Sequence, residues 1–172
     1  YNPDLITSEN GFVLVHDIER KNLIQHRFGF SNGNIARSAP SQTLAEADRE
    51  YSQPKIVFTQ PTLGSPQEFV LGFQKKFRSG KTTVELTSLN TDLTEVRNEA
   101  GNPVRVVLDK NAAGLPTETN RNPSLAAGIR HVMTSWFASQ PIGTENGEMT
   151  YYLAEVEAMQ VVDGNQKPTA VI

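Results

Sequence analysis

Glu68-Phe69-Val70-Leu71-Gly72-Phe73-Gln74-Lys75-Lys76-Phe77, then Arg78-Ser79-Gly80-Lys81, then Thr82-Thr83-Val84-Glu85-Leu86-Thr87-Ser88-Leu89, reads as two strands joined by a tight turn. Side chains alternate across a strand, so Phe69, Leu71, Phe73, Lys75 and Phe77 point one way and Glu68, Val70, Gly72, Gln74 and Lys76 the other. One face is apolar and one is polar. On the returning strand Thr82, Val84, Leu86 and Ser88 share a face opposite Lys81, Thr83, Glu85 and Thr87. Ser79-Gly80-Lys81-Thr82 echoes the end of a phosphate-binding loop, but that loop needs glycine where Lys75 stands. Thr83-Val84-Glu85-Leu86 also alternates as a strand does instead of opening a helix, so a hairpin turn is the better reading.

Outward from this hairpin, turn signals recur at Asn10-Gly11, Asn32-Gly33, Gly101-Asn102, Asn146-Gly147 and Gly164-Asn165. The segments between them are rich in Val, Ile, Leu, Phe and Thr. They predict six strands: Gly11–Ile18, Leu23–Phe30, Lys55–Gln60, Glu68–Phe77, Thr82–Leu89 and Val104–Leu108. Ser41–Tyr51 holds helix formers without an apolar stripe, which predicts a short surface helix or ordered loop. Asn111–Pro123, mostly Ala, Gly, Pro, Thr and Asn, predicts a long exposed loop. In Met149–Val162 the apolar positions 149, 152, 153, 156 and 159 follow the helical period, and Asp163-Gly164 supplies a stop. A helix is predicted there. Leu125–Ser139 fits helical spacing at Leu125, Ile129, Val132 and Trp136, yet Thr134, Trp136 and Phe137 suit a strand.

The chain has 172 residues, 16 Lys+Arg, 19 Asp+Glu, a net charge of −3 and no cysteine. That length suits a single domain, 1–172, with its own core. Apolar runs last only a few residues, as in Gly11-Phe12-Val13-Leu14-Val15, too short for a spanning helix. Without cysteine there is no disulfide framework, thiolate catalysis or Cys-ligated metal site. Tyr1-Asn2-Pro3-Asp4 is not a basic leader followed by an apolar segment, and Asn122 is followed by Pro123, which spoils a sequon. His16, His26 and His131 do not pair at a helical ligand spacing, so no metal site is expected. The carboxylates sit beside turns or opposing charges, and no Gly-x-Ser-x-Gly occurs. No enzyme and no cofactor are expected.

Lys75, Lys76, Arg78 and Lys81 place four cations within seven residues of an otherwise acidic chain. A basic sheet face bearing Gln and Thr can take phosphates and base edges, although exposed lysines also simply guard a solvated hairpin.

Several segments, in order, resemble the coat proteins of the single-stranded-RNA bacteriophages of levivirus type. Phe12-Val13-Leu14-Val15 followed by Asp17 is similar to their opening strand. Leu125-Ala126-Ala127 with Arg130, then Pro141-Ile142 with Thr144, resembles their last strand and its exit. Ala158-Met159-Gln160-Val161-Val162-Asp163-Gly164-Asn165 and Pro168-Thr169-Ala170-Val171-Ile172 resemble their C-terminal helix, turn and tail. The resemblance implies an α+β, mainly β fold: an N-terminal hairpin, a five-stranded antiparallel sheet and two C-terminal helices that cover a partner's sheet in a homodimer. It also implies a strand over about Ile129–Ala138.

By the same resemblance Phe69, Leu71, Phe73 and Leu86, with Tyr152, Val156 and Met159 on the helix, form the dimer interface. Gln74, Lys76, Arg78, Lys81, Thr83 and Thr134 become the candidate contacts to single-stranded viral RNA on the inner sheet face. The implied function is a self-assembling capsid subunit of the virion, made in the bacterial cytoplasm, that packages RNA and can repress replicase translation. The sequence departs from that family in extra length around Ser31–Gln53 and Leu108–Pro123, and in Glu85, where a base would help RNA. Alternatives are a tail-tube or head-completion subunit, a carbohydrate-binding β-domain or, last, a small hydrolase.

Overall fold

The computed structural model describes residues 2–8, 11–59, 68–109, 117–128, 131–139, 149–157 and 170–171. The described chain is all β, in three antiparallel sheets. The N-terminal sheet holds β1 (Asp4–Ser8), β2 (Gly11–Ile18), β3 (Asn22–Ser31), β4 (Asn34–Arg37) and β5 (Gln42–Leu44), the last two both pairing with β3. The middle sheet runs β6 (Arg49–Thr59), β7 (Glu68–Phe77), β8 (Thr82–Leu89) and β9 (Arg105–Leu108) in sequence order. The C-terminal sheet runs β10 (Asn120–Ala127), β11 (His131–Ser139), β12 (Met149–Glu157) and the short β13 (Ala170–Val171).

The middle sheet is buried on both faces, and two separate cores result. On one side Tyr51, Ile56, Phe69, Leu71, Phe73, Leu89 and Leu93 pack against Val13, Val15, Leu23 and Leu44 of the N-terminal sheet. On the other, Val57, Val70, Val84, Leu86, Val106 and Leu108 pack against Val132, Trp136 and Ala138 of the C-terminal sheet. Face-to-face packing of sheets stabilises by about 25 cal/mol per Å² of apolar area removed from water, so a chain of modest hydrophobic content gains two interfaces from one central sheet. Gly72 marks how close the layers come: a Cβ there would meet the Leu125 and Leu86 methyls at 2.9 Å.

All six expected strands form. The expected α+β fold with C-terminal helices does not, because Met149–Glu157 is strand β12, paired along its length with His131–Ser139. The helical spacing of 149, 152, 153 and 156 yields to Thr150, Tyr151, Tyr152 and Val156, residues that favour strands, and to a ready partner in β11. Met159 and the rest of that predicted helix lie outside the described residues. The described part of Leu125–Ser139 is likewise no helix: it holds the end of β10 and all of β11, which agrees from His131 onward with the strand expected over about Ile129–Ala138. Ser41–Tyr51 forms β5, a turn and the start of β6 instead of a helix, and β10 begins inside the segment expected to be a loop over Asn111–Pro123.

Register also corrects the apolar face. Gly72 pairs with Leu86 and Phe73 with Glu85, so Leu86 lies on the opposite face from Phe69, Leu71 and Phe73. The cover for those aromatics comes from this chain's own N-terminal sheet.

Candidate functional site

The cations of the β7–β8 hairpin are met by acids. Lys75 Nζ lies 3.0 Å from Glu46 and 3.5 Å from Glu85, Lys76 3.1 Å from Glu50, Arg78 3.2 Å from Asp48, and Lys81 2.9 Å from Asp109. Glu46, Asp48 and Glu50 arrive together because β6 pairs directly with β7, Glu50 opposite Lys76. The basic cluster seen in the sequence is therefore neutralised locally.

Beneath it lies a charge cluster in which the Arg105, Glu85 and Glu95 side chains are buried and Glu46 is exposed. Arg105 donates to Glu95 through Nε and Nη2 at 2.8 and 3.0 Å, and through Nη1 to Glu46 at 2.7 Å and Glu85 at 3.1 Å. The guanidinium stands 5.5 Å from the Phe73 ring centroid, and Thr83 donates to Glu85 at 3.1 Å. Burial works to raise the Glu46 carboxyl, but the Tyr51 hydroxyl, Lys75 and Arg105 outweigh it and hold the group at about 2. Burial pushes the Tyr51 phenol up, and its neighbour Glu46 adds to the effect. Such a cluster holds β9 and the β5–β6 connection onto the middle sheet; every acid in it is engaged, which leaves no group poised as a general base.

A polar cleft of about 320 Å³ lies where the three sheets meet. Arg20 from the β2–β3 turn, Glu50, Ser52 and Gln53 from β6, Gln74 and Lys76 from β7, Arg121 and Asn122 from β10, and Asn2 line it. Its geometry comes from two β-bulges. One extra residue enters β6 between Ser52 and Lys55, and another enters β10 between Arg121 and Ser124. Gln53 and Asn122 sit at these bulges with φ of 53° and 55°, a left-handed conformation uncommon outside glycine. Each precedes a proline, Pro54 or Pro123, which has no N–H to give the ladder.

The bulges bind each other: Asn122 N donates to Gln53 Oε1 at 2.8 Å and Gln53 Nε2 to Asn122 Oδ1 at 2.6 Å. The Gln53 N–H also donates to the buried Asp17 at 3.4 Å. Gln74 Oε1 is buried there without a hydrogen-bond partner among the described residues. Three cations and several amides around one acid, Glu50, suit a small anion or a polyanion backbone.

Of the residues singled out from the sequence, the structure brings Gln74 and Lys76 into this cleft. Arg78 lies at the exposed hairpin end and Lys81 faces Asp109. Thr83 and Thr134 are buried between layers. Phe69, Leu71 and Phe73 are buried in the first core and Leu86 in the second, while Tyr152 and Val156 pair with Trp136 and Val132. Arg20, Gln53, Arg121 and Asn122 were missed; the two X-Pro pairs inside strand-like sequence were the available signal for the bulges.

A second feature is the outer face of the N-terminal sheet. Leu5 pairs with Leu14, Phe12 with Phe28 and Phe30 with Ile35. The Phe12 and Phe28 rings stack at 4.7 Å, and Leu5, Phe30 and Ile35 are 50%, 56% and 60% exposed. On the far side of the molecule Phe137 and Leu153 are exposed on the C-terminal sheet. Among the described residues no group of three or more His, Asp or Glu is arranged to hold a metal. No family model, curated protein or solved structure matches the chain.

Proposed function

We propose that the chain is a structural subunit that builds a larger assembly by self-association, as a component of a virion shell or tube does. The observation that carries this reading is the aromatic outer face of the N-terminal sheet, where Leu5, Phe30 and Ile35 stand in solvent around the stacked Phe12–Phe28 pair. Exposed apolar side chains on the opposite outer layer, Phe137 and Leu153, give each subunit a second surface of the same chemistry. Two such surfaces on opposite sides favour head-to-tail contacts, which close into rings or extend into tubes. Helices laid across a partner's sheet have no place in this proposal, since Met149–Glu157, the first part of the expected helix, is strand β12.

Sedimentation velocity over a concentration series tests it. The native chain forms oligomers, and a Phe30→Ser, Ile35→Ser double variant stays monomeric with an unchanged circular dichroism spectrum. A native chain that remains monomeric at every concentration defeats the reading.

A second reading, contact with single-stranded RNA, is favoured by the convergence of Arg20, Lys76 and Arg121 on one cleft. Reversal of Arg20 and Arg121 to Glu then weakens RNA binding and flattens its salt dependence by about one unit of slope per lost phosphate contact. RNA affinity unaffected by both changes removes the cleft from that role.

A further inference from the structure

The histidines that stand ten residues apart in sequence meet on the outer face of the N-terminal sheet. His16 on β2 and His26 on β3 lie diagonally across the ladder, His16 opposite Ile24 and His26 opposite Leu14. Their Nε2 atoms are 3.1 Å apart, with the rings 18° from parallel. The other nitrogen of each ring already has an oxygen: His16 Nδ1 lies 3.2 Å from the Asp17 carbonyl, and His26 Nδ1 lies 2.7 Å from Ser41 Oγ. A carbonyl can only accept, so His16 Nδ1 carries the proton and its Nε2 presents a lone pair toward His26. In the metal-free chain His26 Nε2–H therefore donates to His16 Nε2 and Ser41 Oγ donates to His26 Nδ1; Ser41 Oγ can accept as well, so a metal can displace the bridging proton and leave His26 with Nδ1–H and an Nε2 lone pair.

We infer that His16 and His26 form a two-imidazole site for a borderline divalent transition metal of the zinc or copper class. Metal–nitrogen bonds of about 2.0–2.1 Å span a 3.1 Å separation at an angle of roughly 100° at the metal, close to what tetrahedral or square arrangements require. Nδ1–H groups held by a backbone carbonyl and a hydroxyl are the outer support that ligating histidines commonly have, and they fix both rings with Nε2 inward. Arg37 lies close enough to His26 for its charge to act on that imidazole. The Arg37 charge also opposes a bound cation; its side chain is exposed, so solvent screens it. The two protein ligands leave the remaining positions to water or to a donor from a docked molecule. The inference stands independently of the assembly reading.

Titration of the full chain with Zn²⁺ and Cu²⁺ by calorimetry tests it, alongside ¹⁵N-histidine spectra. One equivalent binds per chain, Cu²⁺ more tightly than Zn²⁺, with no uptake of Mg²⁺ or Ca²⁺. The Nε2 resonances of two histidines move, and in the bound form both Nδ1 atoms are protonated. His16→Ala and His26→Ala each weaken binding tenfold or more, Ser41→Ala weakens it about tenfold, and His131→Ala leaves it unchanged. Absence of saturable uptake, or uptake that survives the His16→Ala, His26→Ala double variant, overturns the site.

Discussion

Strand β8, Thr82–Leu89, and strand β4, Asn34–Arg37, lie in adjacent layers, and their burial runs against their composition. Thr82, Thr83, Glu85, Thr87 and Ser88 make β8 the more polar, yet all eight of its residues are buried. β4 carries Ile35 and Ala36, yet all four of its residues are exposed. Place in the stack decides: β8 is a central strand of the middle sheet, with a layer on each face, while β4 is an edge strand of an outer one. A polar strand can occupy the centre only if its groups find partners. Thr82 Oγ1 accepts from Asn120 N at 2.7 Å, Thr87 donates to the Val104 carbonyl at 3.1 Å, and Glu85 binds Arg105.

If that contrast is right, removal of a buried partner costs far more than removal of an exposed one. Arg105→Met takes the buried cation away from Glu95 and Glu85 and lowers unfolding free energy by about 3–5 kcal/mol, measured by urea denaturation. A loss under about 1 kcal/mol would break the comparison at its strongest point. Gly72→Val forces methyl groups against Leu125 and Leu86 and costs about 1–3 kcal/mol, with the fluorescence of Trp136 altered.

Glu46 sharpens the contrast through pH. Its carboxyl is held at about 2 in the fold against an ordinary 4.5, so its contribution is complete above pH 4.5 and is lost as pH falls toward 2. Acid unfolding of Glu46→Gln therefore shows a shallower stability loss across that window, and parallel curves for the two proteins would count against the network. On the exposed side, Lys76→Ala breaks only the surface pair with Glu50 and changes stability by less than about 1 kcal/mol.

What the sequence made legible was local. The hairpin turn at Ser79-Gly80 and the six strands follow from alternation and turn chemistry over a few residues. Trp136, the one tryptophan, sits in an apolar stretch and is fully buried. Non-local pairing was not legible. The face of Leu86 depends on the register between β7 and β8, and a one-residue offset moves a side chain to the other core. The strand at Met149–Glu157 depends on β11 beside it, because its own period admits either form. The candidate site divides the same way. Gln74 and Lys76 drew notice within one basic hairpin, whereas Arg20 and Arg121 reach the cleft only through the stacking of three sheets. The His16–His26 pair shows no ligand spacing along the chain, because these imidazoles meet across a ladder.

The lone tryptophan gives the stack a built-in optical gauge. Trp136 donates to Asn120 Oδ1 at 3.2 Å, and Asn120 Nδ2 donates to the Thr82 carbonyl at 2.9 Å, so the indole is wired to the joint between the middle and C-terminal layers. Its emission reports when that joint opens, while the tyrosine and phenylalanine signals of Tyr51 and Phe73 belong to the joint on the other side. A heating curve that follows the tryptophan emission beside far-ultraviolet circular dichroism thus separates a molecule that melts as one unit from one that sheds its outer leaf first.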